Sequence, residues 1–354
     1  MQPARIAVIG AGLIGRTHIA VLRAGHAEFT LAGVADPSPA ATAEGQRLGY
    51  PVHATIEAML DAAKPDGAIV AVPNQLHVAA SLACVARGVP VLVEKPIADT
   101  LADAMTLVTT AEKAGVATLT GHHRRHNPIM RTAARIIRDG GIGRVVAVTG
   151  LYLSHKPTEY YDLAWRRAPG GGPVLINAIH DIDCLRMLCG DIVSVQASAS
   201  NAVRGFAVED TAAAVLRFES GALGTLMTSD TASSPWNWEW GSRENPSYPY
   251  EPENSLLIAG TLGSLAVPTL VHRWHEPGKQ SWHTPLTQKW VPYKPADAYI
   301  EQMLNFAAVI RGTAKPVVSG RDGALTLATT LAITEAARSG QPVLIEDVMK
   351  AAAR

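Results

Sequence analysis

The sequence predicts an α/β fold: a doubly wound parallel sheet at the N-terminal end, followed by an α+β region with a mostly antiparallel sheet. Three observations predict it. Continuous apolar runs at residues 5–9, 68–72 and 89–93 alternate with helical stretches, as strands do when helices cover both faces of a parallel sheet. A G-x-G-x-x-G turn, Gly10, Gly12 and Gly15, joins the first run to the first helical stretch. After about residue 122 alternating β-rich runs separated by turn signals take over.

In order, residues 5–9 form a strand closed by Gly10 and 13–25 an amphipathic helix. FTLAGVAD (29–36) is a strand, 39–49 and 55–62 are helices, 68–72 a strand, 75–87 a helix, 89–93 a strand, 100–114 a helix and 116–120 a strand. Beyond these, 129–139 and 174–189 are expected as helices and 144–153 as a strand. β-Rich runs follow at 192–202, 210–218, 222–230 and 255–267, and helices at 296–312 and 321–339. Residues 232–254, rich in Pro, Trp, Asn and Ser, are expected as a long loop; such loops are often functional. Within it Trp236, Trp238 and Trp240 alternate, as residues on one face of a strand do. That row would stack on a sugar or carbocycle, or form an oligomer interface.

The 354 residues fit roughly two domains. At 47% hydrophobic and 18% charged, the chain can bury a core. Formal net charge is zero, which argues against nucleic acid or an anionic membrane surface as the main partner. Cys84, Cys184 and Cys189 form no CxxC pair and no metal-ligand ladder, and read as buried reduced thiols of a cytoplasmic protein. No apolar run approaches the roughly 18 residues of a membrane span, and a strand pattern begins at once with no leader-like segment.

Chemistry first shows in GAGLIG (10–15). Gly10 permits the tight turn, Gly12 lets the backbone approach a pyrophosphate, and Gly15 lets helix and strand pack closely. N–H groups at the helix start bind phosphate. With Leu13 and Ile14 these residues are the candidate dinucleotide cradle. Asp36, about 20 residues on, can accept hydrogen bonds from a ribose diol and would repel a 2′-phosphate, which favours NAD over NADP. Ser38 and Arg47 leave room for NADP, and capping the next helix is the alternative role for Asp36. VPNQLH (72–77) and VEKP (93–96) end two further strands, where a doubly wound sheet binds its ligand. Pro73, Asn74, His77, Glu94 and Lys95 are therefore assigned to the cofactor edge. Pro96 biases Lys95 towards extended backbone. Its ammonium would stabilise a developing alkoxide; pairing with Glu94 at the sheet edge is the plainer role.

GAGLIG, VPNQLH, VEKP and GGGPVLINAIHDID (170–183), in this order and spacing, resemble the glucose–fructose oxidoreductase / inositol dehydrogenase / rhizopine-catabolism (Gfo/Idh/MocA) family over nearly the whole chain. The resemblance implies an NAD(P)-binding Rossmann domain, placed at residues 1–122. It implies a C-terminal domain, at 123–354, that binds substrate and forms homodimers or homotetramers through an open sheet. It also implies oxidation or reduction of ring hydroxyls of sugars, inositols and cyclic diols, dihydrodiols included. Lys95 matches the family's active-site lysine and His180 its active-site histidine. An aspartate usually stands four residues before that histidine; here the position is Ile176, next to Asn177. On one α-helix His180 would share a face with both, and Asp183 would reach the same face. Asn177 is taken as a neutral positioner of substrate or ring.

The expected mechanism moves a hydride from a ring C–H to NAD. His180, near its ordinary pKa of about 6.5, is the general base, and Lys95 offsets the growing charge on the oxygen. Lys95, its pKa lowered by burial and the positive nicotinamide, is the rival base. GHHRRHNP (121–128) matches, from Arg125 to Pro128, a family turn that borders the substrate pocket, so His122 and Arg125 join the substrate candidates. His122, His123 and His126 have no Cys or carboxylate to complete a site, and no metal is expected. Trp165 and Arg166, in EYYDLAWRRAPGGG (159–172), offer an aromatic plane and a guanidinium fork, or else packing and surface charge. Two further functions fit the same motifs: a glycosidase that uses NAD transiently, and a non-catalytic dinucleotide-binding sensor.

Overall fold

The computed structural model describes residues 2–352. The chain groups into two compact units, one from Met1–His126 and Asp297–Leu327, the other from Asn127–Ala296 and Ala328–Ala351.

In the first unit, strands β1 (Ala4–Ile9), β2 (Phe29–Ala35), β3 (Val52–His53), β4 (Gly67–Val70), β5 (Val91–Val93) and β6 (Thr118–Thr120) alternate with helices α1 (Leu13–Arg23), α2 (Pro39–Leu48), α3 (Ile56–Ala63), α4 (His77–Val85) and α5 (Leu101–Ala114). The sheet order is β3-β2-β1-β4-β5-β6, and every pair is parallel. The order reverses between β1 and β4, and there the strand ends leave a crevice for a ligand. The strands are buried on both faces, as their unbroken apolar sequences require: Ile6, Val8, Ile69 and Leu92 have no exposed surface.

The second unit opens with α6 (Pro128–Arg138), β7 (Val145–Leu153), α7 (Ile179–Cys189), β8 (Ile192–Ser200), β9 (Thr211–Phe218), β10 (Leu223–Ser229), the short helix α8 (Trp238–Ser242), β11 (Leu256–Gly260), β12 (Gly263–Val267), β13 (Val271–Trp274) and β14 (Thr287–Trp290). After α9 (Ala298–Ile310) and α10 (Gly320–Ser339) the chain ends in β15 (Val343–Leu344) and α11 (Ile345–Ala352). Nine strands form one sheet, β14-β13-β12-β11-β7-β10-β9-β8-β15. Only β7 and β10 run parallel; the other neighbours are antiparallel. Burial alternates along β9 and β10, so one face is core and the other carries exposed Val215 and Met227.

Helix α9 belongs to the first unit although it lies far beyond residue 122. Its Met303 and Phe306 are fully buried with Ile6, Val8, Ile69, Leu92 and Leu119. The fit is close: a Cβ on Gly67 would stand 2.5 Å from Ile310 Cδ1. The tryptophan alternation is overturned. Asn237 caps α8, its Oδ1 accepting the Trp240 N–H at 3.0 Å, so the three indoles share no strand face; Trp238 is buried and Trp236 exposed. A cap at one residue outweighs a period-two pattern over five.

Phe306→Ala is expected to cost about 3–5 kcal/mol, read as a lower urea midpoint, from lost burial and the cavity left. Trp282→Ala, at a side chain 94% exposed, is expected to stay within about 0.5 kcal/mol of the parent.

Candidate active site

The three glycines of the first turn have separate reasons. Gly10 has φ +94°, and a Cβ there would lie 2.6 Å from Ala71 O. A Cβ on Gly15 would lie 2.0 Å from Gly10 O. At Gly12 a Cβ would meet nothing within 4 Å: the fold itself does not need glycine there. Gly12 is also the N-cap of α1 and supplies no side chain to its first N–H groups, which suits an anion at that end. Leu13 is exposed and Ile14 half-buried beside it. Asp36 grips this turn. Its Oδ2 accepts the Ala11 N–H at 2.7 Å and its Oδ1 the Ser38 N–H at 2.8 Å. Burial pushes its carboxyl up, but the Ser38 and Ala11 hydrogen bonds and the Arg16 charge hold it below the usual range. Capping of α2 falls to Ser38, whose Oγ accepts the Ala41 N–H. Asp36 is thus ionised at the end of β2, and each oxygen keeps lone pairs for a diol.

At the end of β5 stands a buried carboxylate, Glu94. His18 Nε2–H donates to its Oε1 at 2.7 Å, and the Lys95 backbone N–H to its Oε2 at 3.2 Å. Burial would raise the Glu94 pKa, yet the His18 hydrogen bond and the charges of His18, His123 and Lys95 hold it below the usual range. Tyr299 of α9 packs edge-on to His18 and stacks on His123 at 4.6 Å. Lys95, just past the end of β5, is half-buried. His77 places one ring nitrogen 2.8 Å from Pro96 O and the other 2.9 Å from Val72 O, tying the two strand-end loops together. Pro73 is exposed and Asn74 half-buried at the same edge. His122 and Arg125, in the turn after β6, are both buried.

In the second unit residues 174–189 are not a single α-helix. Val174–Ala178 form a π-helical turn that leads into α7. Glu209 Oε1 accepts the Val174 N–H at 3.1 Å, and a Cβ on Gly172 would stand 2.3 Å from the same oxygen. Ile176 and Asn177 therefore lie in the π turn and His180 in the first turn of α7. His180 itself is buried in the first turn of α7. Asn177 finds another partner: its Oδ1 accepts from Lys156 Nζ at 2.7 Å. Arg166 donates from Nη1 to Tyr160 O at 2.6 Å and lies 3.9 Å over the Tyr160 ring, while Trp165 is half exposed.

Sequence reasoning missed His18 and Lys156. His18 lies in a buried stripe of α1 with Gly15, Ile19 and Leu22, and a polar residue in an apolar stripe is the signal. Lys156 precedes Pro157 just beyond a strand, the pattern that drew attention to Lys95 and Pro96. Among the described residues no group of three His, Cys, Asp or Glu could hold a metal, and no helix is long and apolar enough to cross a membrane. The three cysteines are buried free thiols; burial pushes Cys84 and Cys189 up to about 12.

A strand–glycine turn–helix cradle closed by an acid, on a doubly wound sheet, defines a dinucleotide-binding oxidoreductase domain. The NAD-binding Rossmann-fold model of the Gfo/Idh/MocA oxidoreductases matches residues 4–122, and the family's C-terminal-domain model matches 130–266. The chain belongs to the Gfo/Idh/MocA family, as an NAD(P)-dependent oxidoreductase. It is 29% identical to 1,5-anhydro-D-fructose reductase from Ensifer adhaerens over 97% of this chain and 98% of that one. It is 26% identical to myo-inositol 2-dehydrogenase from Thermotoga maritima, over 98% and 99%. Among solved structures, the WlbA dehydrogenase from Bordetella pertussis in complex with NADH and UDP-GlcNAcA is similar at a TM-score of 0.76, with 27% identity over 97% and 98% of the two chains.

Gly12→Val is expected to leave thermal stability unchanged and raise the Kd for NAD about tenfold or more, because only the ligand meets the new side chain; Gly15→Val is expected to lower Tm, because the fold meets it first. For Glu94 the folded pKa lies below the ordinary value of 4.5. Its stabilisation is therefore complete above that pH and lost as pH falls through the depressed pKa. Glu94→Gln should lower Tm at neutral pH and flatten its fall below about pH 4.5, measured as Tm against pH.

Proposed function

We propose that the protein transfers hydride between NAD and a ring hydroxyl or carbonyl of a sugar, inositol or cyclic diol. The observation that carries this reading is Lys95, held at the crevice end of β5 by its backbone bond to buried Glu94, in a domain whose glycine turn keeps the space at Gly12 clear. Ring substrates are favoured because relatives are named for an anhydrofructose and for myo-inositol. The ionised Asp36 favours NAD over NADP. When bound, the nicotinamide supplies the hydride-accepting carbon.

Each protein group then has a defined task. His180 removes the hydroxyl proton as general base. The Lys95 ammonium hydrogen-bonds the same oxygen and offsets its charge. Asn177 orients the ring, with Arg125, His122, Trp165 and Arg166 bordering the substrate. The enzyme works in the cytoplasm as a homodimer or homotetramer, its copies joined through the outer face of the nine-stranded sheet, where Val146, Val215, Met227 and Leu257 stand exposed.

The test is NADH formation, followed by its near-ultraviolet absorbance, over inositols, aldoses, anhydrosugars and cyclic diols. Lys95→Ala and His180→Ala are each expected to lower kcat about 10²–10⁴-fold while NAD still binds. Turnover that survives both substitutions would sink the reading. Release of an aglycone with no net NADH would replace it with the elimination chemistry of a glycosidase, and tight NAD binding with no turnover of any compound would replace it with a sensor.

A further inference from the structure

We propose that the second unit carries a binding site for a ring-bearing carboxylate, built from Arg243, Tyr250, Asn254, Trp290 and Tyr293. None of the residues assigned above to cofactor or substrate lines it, and the proposal does not rest on the dehydrogenase reading.

The site is a cavity of about 390 Å³, within the range of small-molecule pockets. Every residue that lines it belongs to the second unit. The tryptophan-rich segment supplies one wall, from the end of α8 to Asn254. The turn between β12 and β13, and β14 with the residues after it, supply the rest. These walls are tied together. Asn254 Oδ1 accepts the Thr269 N–H at 3.2 Å and the Thr269 hydroxyl at 2.7 Å. The Glu251 N–H donates to Trp240 O at 3.1 Å, and a Cβ on Gly241 would stand 2.8 Å from Pro268 Cγ.

Arg243 selects the charge. Its guanidinium carbon lies 3.6 Å from the centre of the Tyr250 ring, and it is in no ion pair among the described residues. No Asp or Glu among the described residues lines the cavity. A guanidinium stacked on a ring keeps its N–H edge for a carboxylate, which it meets with two parallel hydrogen bonds. Asn254, its oxygen committed to Thr269, can offer only its NH2. The residue is also strained where it stands. Arg243 closes α8 with φ +59°, a conformation that glycine adopts freely at a helix end. Leu270, at φ +55°, lies between Thr269 and Val271 of another wall. Non-glycine residues held in this conformation cluster at ligand sites.

The aromatic side chains select the rest of the molecule. Trp290 is 68% exposed, and Tyr250 and Tyr293 are exposed with it. Aromatic faces left to water around one cavity are covered well by a flat ring. A neutral polyol fits less well, because its hydroxyl protons need acceptors and the side-chain nitrogens here only donate.

The experiment is calorimetric titration of the full-length, NAD-saturated protein with 4-hydroxybenzoate, using 4-hydroxybenzamide and acetate as the uncharged and the ringless control. 4-Hydroxybenzoate should bind with a Kd of about 1 mM or below, and each control about tenfold or more weakly. Arg243→Gly should not lower Tm, since glycine suits that backbone, yet should weaken binding about tenfold or more. Trp290→Ala should weaken it about threefold or more. Three results would overturn the site: no binding by the parent, a control bound as tightly as 4-hydroxybenzoate, or an affinity unmoved in both variants. If the parent binds none of the three compounds and Trp290→Ala dissociates an oligomer in sedimentation, a second copy of the chain covers this face instead.

Discussion

One buried carboxylate holds the crevice side of the first unit together. Glu94 is 6% exposed, and an ionised group there is tolerated only when paired and hydrogen-bonded. Both oxygens are engaged, and each partner comes from an element that matters for binding. His18 lies on α1, the helix that starts at the glycine cradle. The Lys95 N–H belongs to the residue that follows β5 at the strand-end edge. Gly121, just past β6, leaves room for the carboxylate, since a Cβ there would lie 2.9 Å from Oε1. Helix α1 and the ends of β5 and β6 are thus referenced to the same atoms. The position of Lys95 relative to the cradle follows from them.

The second unit is organised around an analogous anchor, Asp230. The sheet contains a single parallel pair, β7 with β10, and parallel strands deliver their carboxyl ends side by side. Pairing continues past the strands, with the Ser154 N–H on Ser229 O and the Lys156 N–H on Asp230 O. That is why an ammonium and a carboxylate distant in sequence lie together. With Tyr161 and Arg204 added, the cluster satisfies Asp230 and fixes the backbone of Lys156, leaving its side chain to reach Asn177.

The doubly wound sheet, its helices and the glycine turn were legible because each is written locally, in an apolar run, a period or a dipeptide. Spacing alone put Gly12 and Asp36 forward as a ligand edge; the structure adds that Asp36 accepts from the Ala11 and Ser38 N–H groups. What was not legible is what depends on distant partners. Phe306 of α9 reads as one apolar residue of an amphipathic helix, and nothing in residues 298–310 says that its burying partner is the N-terminal sheet. His18 and Lys156 became visible only through Glu94 and Asn177, 76 and 21 residues away. The alternating tryptophans misled because a period is weak evidence over five residues, where one Asn side chain can nucleate a turn of helix.

The π turn before His180 shows why local pattern fails where function is concentrated. Val174–Ala178 carry α-helical spacing, but the first N–H groups of a helix have no i−4 partner and need another acceptor. Here Pro173 has no N–H, Gly172 lies against Glu209, and the Val174 N–H donates to the Glu209 carboxylate. Burial, the largest influence on Glu209, pushes its pKa up. Asn177 lies in this turn, and its Oδ1 accepts from Lys156 Nζ at 2.7 Å. The irregular turn thus sits where a carboxylate from a distant part of the chain meets the start of a helix.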